Sequence, residues 1–461
     1  MSINLSDLKD KRVAVLGFGV NNQHLTKWLV NKKIQVTVCD ENEEASKSHP
    51  DLKNKVEWQL GKKAFMNLAD FHYIFRTPGI RPDHKAIVEA QTRGGAILTS
   101  QTELFFSLCP APIVGVTGTK GKGTTSSLLF HMMKEGTSNA LFNKIYLAGN
   151  IGRDPFEFLD EIKVEDLVIL ELSSFQLFQA KIKPKVAIIL SLSPDHLDYH
   201  TNIHEYVAAK SYLVREQTAE DIAILHHESS HLQSFKALTK AQLYTFSRST
   251  KVSRGTYVSS EDKNIYITGE QAPLLKATDL LIQGDHNLEN AAAASLAAYL
   301  LGASRQNISS GAKAFSGLPH RLQKVLELKD VKFIDDSIAT TPESTMAAIE
   351  TFSDSPIHLI AGGVAKGADY EELGKVIDAK CQSVTLIGRD AKQIAKHIKG
   401  DCLVVPNMES ALRAILPKVK AGDVVLLSPA CASFDLYDNY AQRGDDFAKR
   451  AKQNSKLING E

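Results

Sequence analysis

The chain has 461 residues, more than one ordinary hydrophobic core can organise, so two to four domains are expected. With 43% hydrophobic and 23% charged residues it has a globular composition, which excludes a disordered chain. Its 54 basic and 53 acidic side chains leave a net charge of +1, without the basic excess of a dedicated nucleic-acid binder.

The opening segment MSINLSDLKDKRVAVLGFG holds no apolar stretch of the signal-peptide kind. No apolar run reaches the roughly 18 residues that suggest a membrane helix. Five cysteines (Cys39, Cys109, Cys381, Cys402, Cys431) are scattered without CxxC spacing, so neither a disulfide framework nor a zinc site is suggested. A cytoplasmic protein without stable membrane insertion is expected, binding no nucleic acid and working as a monomer.

In chain order, short Val- and Ile-rich runs alternate with helical patterns, which predicts parallel α/β sheets. Strands are expected at 12–16, 34–39 and 72–76, then at 112–116, 167–170 and 186–190, and finally near 331–335, 357–361, 383–387 and 424–428. Residues 242–268 read as antiparallel strands with polar turns such as Ser259-Ser260-Glu261-Asp262. The Ala-rich run from Asn290 to Leu301 predicts a helix. The Pro-containing segments at 109–112 and 317–319 are the best boundaries. The expected organisation is therefore three α/β domains at 1–110, 111–317 and 318–461.

Gly17-Phe18-Gly19-Val20 follows the first strand and opens a helix, and Asp40 ends the second strand. Glycines there let backbone approach a diphosphate, and an acid at that place can reach a ribose. Asn22 stands where the third glycine of a dinucleotide fingerprint would be. NAD, another diphosphate-bearing ligand or a merely tight turn are all open on these residues.

The run Gly118-Thr119-Lys120-Gly121-Lys122-Gly123-Thr124 is a stronger signal. Consecutive backbone N–H groups at a helix start cradle phosphates, and Lys122 would reach the β/γ oxygens. The first glycine is closer than in GxxxxGK[ST], and Gly123 replaces the Ser or Thr, so the metal-binding hydroxyl falls to Thr124. Glu171, ending the strand LVILE, sits where a Mg²⁺ ligand is expected beside such a loop. Ser193-Pro194-Asp195-His196-Leu197-Asp198 follows the next strand and suggests a second metal site. Lys210, taken alone, reads as an ordinary helix lysine.

Taken together, TGTKGKGTT, LAGNIG (147–152), ELSSFQL (171–177), SPDHLDYH (193–200), YVAAK (206–210), GDHNLENAAAA (284–294) and GLPHRLQ (317–323) resemble the Mur ligase family. They occur in the family's order and span the chain. The resemblance implies a Rossmann-like N-terminal domain for a UDP-sugar substrate, a central P-loop ATPase domain and a Rossmann-like C-terminal amino-acid-binding domain. It makes the first glycine loop a UDP-diphosphate site. ELSSFQL with LLSPACASFDLYDNYAQRGDDF (426–447) resembles the branch that adds D-glutamate to UDP-N-acetylmuramoyl-L-alanine, and no DNPR segment of the diaminopimelate-adding kind is present. Folylpolyglutamate synthetases share the Gly-Lys-Gly-Thr loop and are the rival enzyme reading; a non-catalytic nucleotide-binding protein is the other.

Residue by residue, the resemblance implies that Gly118 to Thr124, with Asn287, Asn290, Arg321 and Asp336, bind ATP. Thr124 and Glu171 would ligate one Mg²⁺ and His196 a second, completed by a carbamylated Lys210. Lys122, His196 and Lys210 would be the catalytic set. Gly17, Phe18, Gly19, Val20, Asp40, Thr77 and Asn150 would hold the UDP-substrate, and Thr340, Lys366, Ser433, Phe434 and Tyr440 the D-glutamate. One departure stands out: Ile338 occupies the place of the lysine common in the family's DSKAT segment.

Overall fold

The computed structural model describes residues 3–134, 142–196, 198–282, 284–365 and 367–454. Residues up to Phe315 form one compact unit and those from Ser316 a second.

Three sheets organise the chain. The first holds β1 (Val13–Leu16), β2 (Val36–Asp40), β3 (Glu57–Leu60), β4 (Tyr73–Arg76) and β5 (Ile97–Ser100). All its pairings are parallel, in the order β3-β2-β1-β4-β5. The order reverses between β1 and β4, which opens a crevice at the carboxyl ends of those two strands. Both faces of this sheet are covered: Val13, Val15 and Phe75 join one apolar cluster, while Ala14, Leu16 and Ile74 join another. Burial on both faces is why the central strand β1 reads as an unbroken apolar run.

The second sheet belongs to the same compact unit. It comprises β6 (Ile113–Thr117), β7 (Ile145–Gly149), β8 (Leu167–Glu171), β9 (Val186–Ile189), β10 (Ile222–His226), β11 (Gln242–Ser247), β12 (Gly255–Val258) and β13 (Ile265–Ile267). Their order is β13-β12-β11-β10-β9-β6-β8-β7. The antiparallel reading of 242–268 is corrected here. β11 pairs parallel with β10 and β12 parallel with β11, and only β12–β13 is antiparallel. Polar turns mark where a strand ends, and they do not set the direction in which the next strand pairs. The predicted Ala-rich helix spans Asp285–Leu300, with Ala291 to Ala294 fully buried.

The second unit holds β14 (Gln323–Leu328), β15 (Val331–Asp335), β16 (Ile357–Gly362), β17 (Cys381–Ile387), β18 (Cys402–Val404) and β19 (Val424–Leu427), in the order β14-β15-β19-β16-β17-β18. Only the β14 edge is antiparallel. Its two faces pack as separate clusters, one around Leu359 and Leu426 and the other around Ile360 and Phe447.

Candidate active site

The chemistry-bearing residues sit at the carboxyl ends of parallel strands, where loops carry backbone N–H groups and side chains into a crevice. Three such ends stand out.

At the end of β6 the chain turns through Gly118–Gly121 into the helix Lys122–Lys134. Gly121 has φ +83°, and a Cβ there would overlap the side-chain oxygen of Asn290, so only glycine fits. Asn290 in turn accepts from the Thr125 hydroxyl (3.4 Å) and donates to Asn287 Oδ1 (3.2 Å). Asn287 and Asn290, 165 and more residues from the loop in sequence, therefore belong to its wall. Lys122 Nζ donates to the carbonyls of Gly118 (3.2 Å) and Thr119 (3.0 Å), which folds the lysine back over the loop. Thr124 lies in the first turn of the helix and is buried, while Lys120 is exposed.

Lys210 is the least expected of these residues. It lies on the helix Ile203–Arg215, is only 2% exposed, and donates to Gly118 O (2.9 Å) and Thr117 Oγ1 (3.4 Å). Its ammonium stands 4.6 Å from the Tyr206 ring centroid, one turn earlier. Burial, with the neighbouring Lys122 charge, pushes its pKa down to about 7. A lysine buried against a carbonyl and a hydroxyl, with no carboxylate bonded to it among the described residues, is not an ordinary helix lysine.

Tyr206 was not marked by sequence reasoning. Its hydroxyl meets Thr119 Oγ1 at 2.9 Å, and Thr119 Oγ1 bonds Ser193 in both directions, donating to its carbonyl and accepting from its N–H at 3.0 Å. One tyrosine thus supports both the lysine and the phosphate loop. The YxxxK spacing, which places both on one helix face, was the available signal.

Glu171 ends β8 and is 7% exposed. Gly149, at the end of β7, packs so closely on the Glu171 backbone that a Cβ would overlap it, and Asn150 N donates to Glu171 O (3.1 Å). Ser173 and Gln176 then form a capping box that starts the short helix Ser174–Leu177. His196 follows β9 in a left-handed conformation (φ 53°), with Nε2 3.6 Å from Asp195 and its ring 4.8 Å from that of Phe175. Thr124, Glu171, His196 and Lys210 thus all sit at one end of the second sheet.

The first sheet gathers its own set. A Cβ at Gly17 (φ +80°) would strike the Thr77 methyl, so the glycine loop and Thr77 meet across the β1–β4 switch point. Asp40 Oδ2 accepts from Phe18 N and Oδ1 from Asn42 N (2.8 Å), which joins the two loops. Asn22, in the third-glycine place, is fully buried and donates to Gly17 O (2.7 Å). Its amide takes the space that a glycine would leave to close helix–strand packing. Val20 is exposed at the mouth of the loop.

In the second unit, Thr340 follows β15, and Ser433 and Phe434 follow β19, at the same end of the third sheet; Phe434 is 69% exposed. Tyr440 begins the helix Tyr440–Gln453, and its carbonyl accepts from Ser337 Oγ (2.7 Å). Asp336 accepts from Leu322 N (3.2 Å) and Ser428 Oγ (2.8 Å), and burial raises its pKa to about 7. Arg321 is exposed, and Ile338, in the family's lysine place, is half-buried and donates its N–H to His320 O (3.1 Å). Lys366 lies outside the described residues. Sequence reasoning also missed Arg443, 1% exposed, which donates to Ser337 Oγ (2.9 Å), Ser337 O (2.8 Å) and Cys431 O (3.1 Å). It ties together the loops that follow β15 and β19. A lone arginine inside QRGDDF gives no hint of burial.

Comparisons with known proteins cover all three sheets. Residues 11–99 match the Mur ligase MurD-like N-terminal domain, 116–298 the Mur ligase middle domain and 320–431 the Mur ligase glutamate ligase domain. The UDP-N-acetylmuramoylalanine–D-glutamate ligase of Acetivibrio thermocellus is 38% identical, over 97% of this chain and 98% of its own. That of Ruminiclostridium cellulolyticum is 36% identical over 96% of both. Among solved structures, UDP-N-acetylmuramate–alanine ligase MurC of Thermotoga maritima aligns with TM-score 0.58 at 19% identity, over 96% of this chain and 99% of the other. MurF ligase of the same organism, in complex with ADP, gives 0.57 at 18% over 98% and 97%. At such identities these structures speak for the fold alone.

Proposed function

The chain belongs to the Mur ligase family, and from that premise we propose that it is the ATP-dependent ligase joining D-glutamate to UDP-N-acetylmuramoyl-L-alanine. The observation that carries this reading is the near-full-length agreement with D-glutamate ligases, which reaches through all three sheets.

The reaction begins with attack of the L-alanyl carboxylate on the γ-phosphorus of ATP, which gives an acyl phosphate and ADP. The D-glutamate amine then attacks the acyl carbon, and phosphate leaves. Phosphoryl transfer is mainly a matter of positioning and charge neutralisation. Lys122, held over the loop by two carbonyls, supplies a cation for the transferred group. The loop N–H groups and the helix start that follow them fix the triphosphate.

A divalent metal fits the donors at this sheet end. Thr124 and Glu171 offer hard oxygens, and His196 offers a nitrogen. Among the described residues no group of three His, Cys, Asp or Glu side chains forms a complete cage. Mg²⁺ keeps few protein ligands and takes its other oxygens from water and substrate phosphates. When bound, Mg²⁺ neutralises charge on the phosphates. Lys210 lacks an oxygen to offer until it is carbamylated. Its buried amine beside Gly118 O is the group that we read as the carbamate site, with two metals served in all.

We assign the acceptor's UDP end to Gly17, Phe18, Gly19, Val20, Asp40, Thr77 and Asn150. D-Glutamate falls to Thr340, Lys366, Ser433, Phe434 and Tyr440. Asn287, Asn290, Arg321 and Asp336 are assigned to ATP.

Phosphate release tests the reading: UDP-N-acetylmuramoyl-L-alanine is offered with a panel of D- and L-amino acids, and a folate serves as the rival acceptor. Release with D-glutamate on the UDP-substrate is expected. Release that needs a folate, or no amino acid at all, would remove it.

A further inference from the structure

Two arginines of the first sheet, Arg76 and Arg81, flank the loop that carries Thr77, and both reach into the segments of the second sheet that carry Glu171, His196 and Lys210. Arg76 ends β4 and is 4% exposed. Its guanidinium donates within its own loop to Ile80 O (2.9 Å) and Pro78 O (3.4 Å), and across to Phe178 O (2.8 Å) and Phe175 O (3.4 Å). Of the two far acceptors, Phe175 lies in the helix Ser174–Leu177 and Phe178 caps its C-terminus; that helix starts three residues after Glu171.

Arg81 closes the other end of the loop. It grips Glu205 with two parallel bonds, Nη1 to Oε2 and Nη2 to Oε1, both 3.0 Å. It also donates to the carbonyl of Tyr199, and Asp83 holds it from behind through Nε (2.9 Å) and Nη2 (2.7 Å). Its guanidinium lies 5.4 Å and 5.6 Å from the ring centroids of Phe178 and Tyr199. The Tyr199 hydroxyl answers by donating to Pro78 O (3.0 Å). Glu205 sits in the first turn of the helix that carries Lys210, and it accepts from Thr201 N (2.8 Å). Beside it stands the fully buried His200, with Nδ1 3.5 Å from Glu205 and Nε2 3.0 Å from Ser174 Oγ.

This network does more than glue two sheets. A two-pronged arginine–carboxylate pair fixes orientation as well as distance. Its carboxylate end is built into the turn that aims the Lys210 helix, and its other acceptor lies in the segment just after His196.

We propose that Arg81 is a positioning residue for the ligation: through Glu205 and Tyr199 it couples the Thr77 loop to the placement of His196 and Lys210, so that the acceptor's UDP end and metal-bound ATP strengthen each other's binding. The proposal rests on the functional reading above, which puts the acceptor at Thr77 and the metal at His196 and Lys210. Arg81 touches neither ligand in this scheme.

Calorimetry on the full chain tests it. The affinity of the Mg²⁺ complex of a non-hydrolysable ATP analogue is measured with and without UDP-N-acetylmuramoyl-L-alanine, for the wild type, Arg81→Ala, Glu205→Gln and the double variant. In the wild type the acceptor is expected to tighten the nucleotide at least about fivefold, the low end of coupling between sites. In either single variant the factor falls toward one while each ligand alone binds within about threefold of wild type, and the double variant is no worse than the singles, as a unit requires. A purely structural role would lower stability and leave the coupling factor alone. Two results overturn the proposal without touching the functional reading: both ligands bind the wild type but without coupling, or the variants keep the wild-type factor. Failure of the wild type to bind the UDP-substrate at all would fell the functional reading first, and the proposal with it.

Discussion

Gly121 and Asn290 occupy each other's space: the glycine's missing side chain is where the asparagine's oxygen lies, and that oxygen also receives the Thr125 hydroxyl. The phosphate loop is therefore shaped from outside by a helix that starts at Asp285.

Gly121→Ala should keep the fold and lose nucleotide binding. A left-handed conformation costs an alanine about 1–2 kcal/mol, and the displaced Asn290 adds to that, so ATP affinity should drop roughly tenfold or more. Equilibrium binding of ATP, with a thermal melt as control, checks it; wild-type affinity would show that the loop has another shape when filled.

Lys122→Ala should leave the melting temperature close to wild type and lower kcat at least ~10²-fold, the scale for losing one preorganised charge donor. Steady-state phosphate release at saturating ATP is the measurement. Turnover near wild type would take Lys122 out of the transfer step.

Lys210 gives a prediction in pH. Carbamylation needs the neutral amine, and with a pKa of about 7 that form is substantial at neutral pH, whereas an ordinary lysine near 10.4 would have almost none. Activity recovered by adding bicarbonate to CO₂-depleted enzyme should therefore rise as pH passes upward through about 7. Stability has the same sign. Between about 7 and the unfolded value the unfolded chain holds one more proton, so stability grows with pH in that window. In CO₂-free buffer the melting temperature, relative to Lys210→Met, should climb from pH 7 to 9. Short carboxylic acids should partly restore Lys210→Ala, and a mass spectrum of active enzyme showing only the bare amine would refute the carbamate.

Arg443→Lys should disturb D-glutamate alone. A lysine cannot bridge Ser337 and Cys431 as a planar guanidinium does. Hydrogen bonds from a charged group contribute about 1.5–3 kcal/mol each, so loss of one loosens the loops that carry Thr340 and Ser433 and should raise the D-glutamate KM roughly tenfold. The KM values for ATP and the UDP-substrate serve as controls. A rise confined to ATP would mean that the D-glutamate pocket is wrongly placed.

Much of this was legible in the residues, and for a physical reason. Strands buried on both faces are apolar nearly throughout, so β1, β6, β8, β9, β16 and β19 stood out, and glycines at strand ends marked the two loops. What escaped depends on partners far away in sequence. Asn22 looked like a flaw in a glycine pattern until its amide was found bonded to Gly17 O. Arg76 closes the run HYIFR, and nothing near it foretells carbonyl acceptors about a hundred residues on. β11 and β12 misled because the polar turns around them show where strands end and are silent on which way the neighbour runs. Lys210 looked ordinary because its partners, Thr117 and Gly118, lie over ninety residues earlier.

The two arginines beside Thr77 should respond differently to ionic strength. Arg81 and Glu205 are each partly open to solvent, with side chains 25% and 21% exposed. In about 1 M salt the screening length shrinks to ~3 Å, and mobile ions compete for both partners. Arg76 faces carbonyl dipoles in a place that counter-ions do not reach. Concentrated salt would thus free one end of the Thr77 loop and leave the other pinned, turning a doubly held segment into one that swings from a single post.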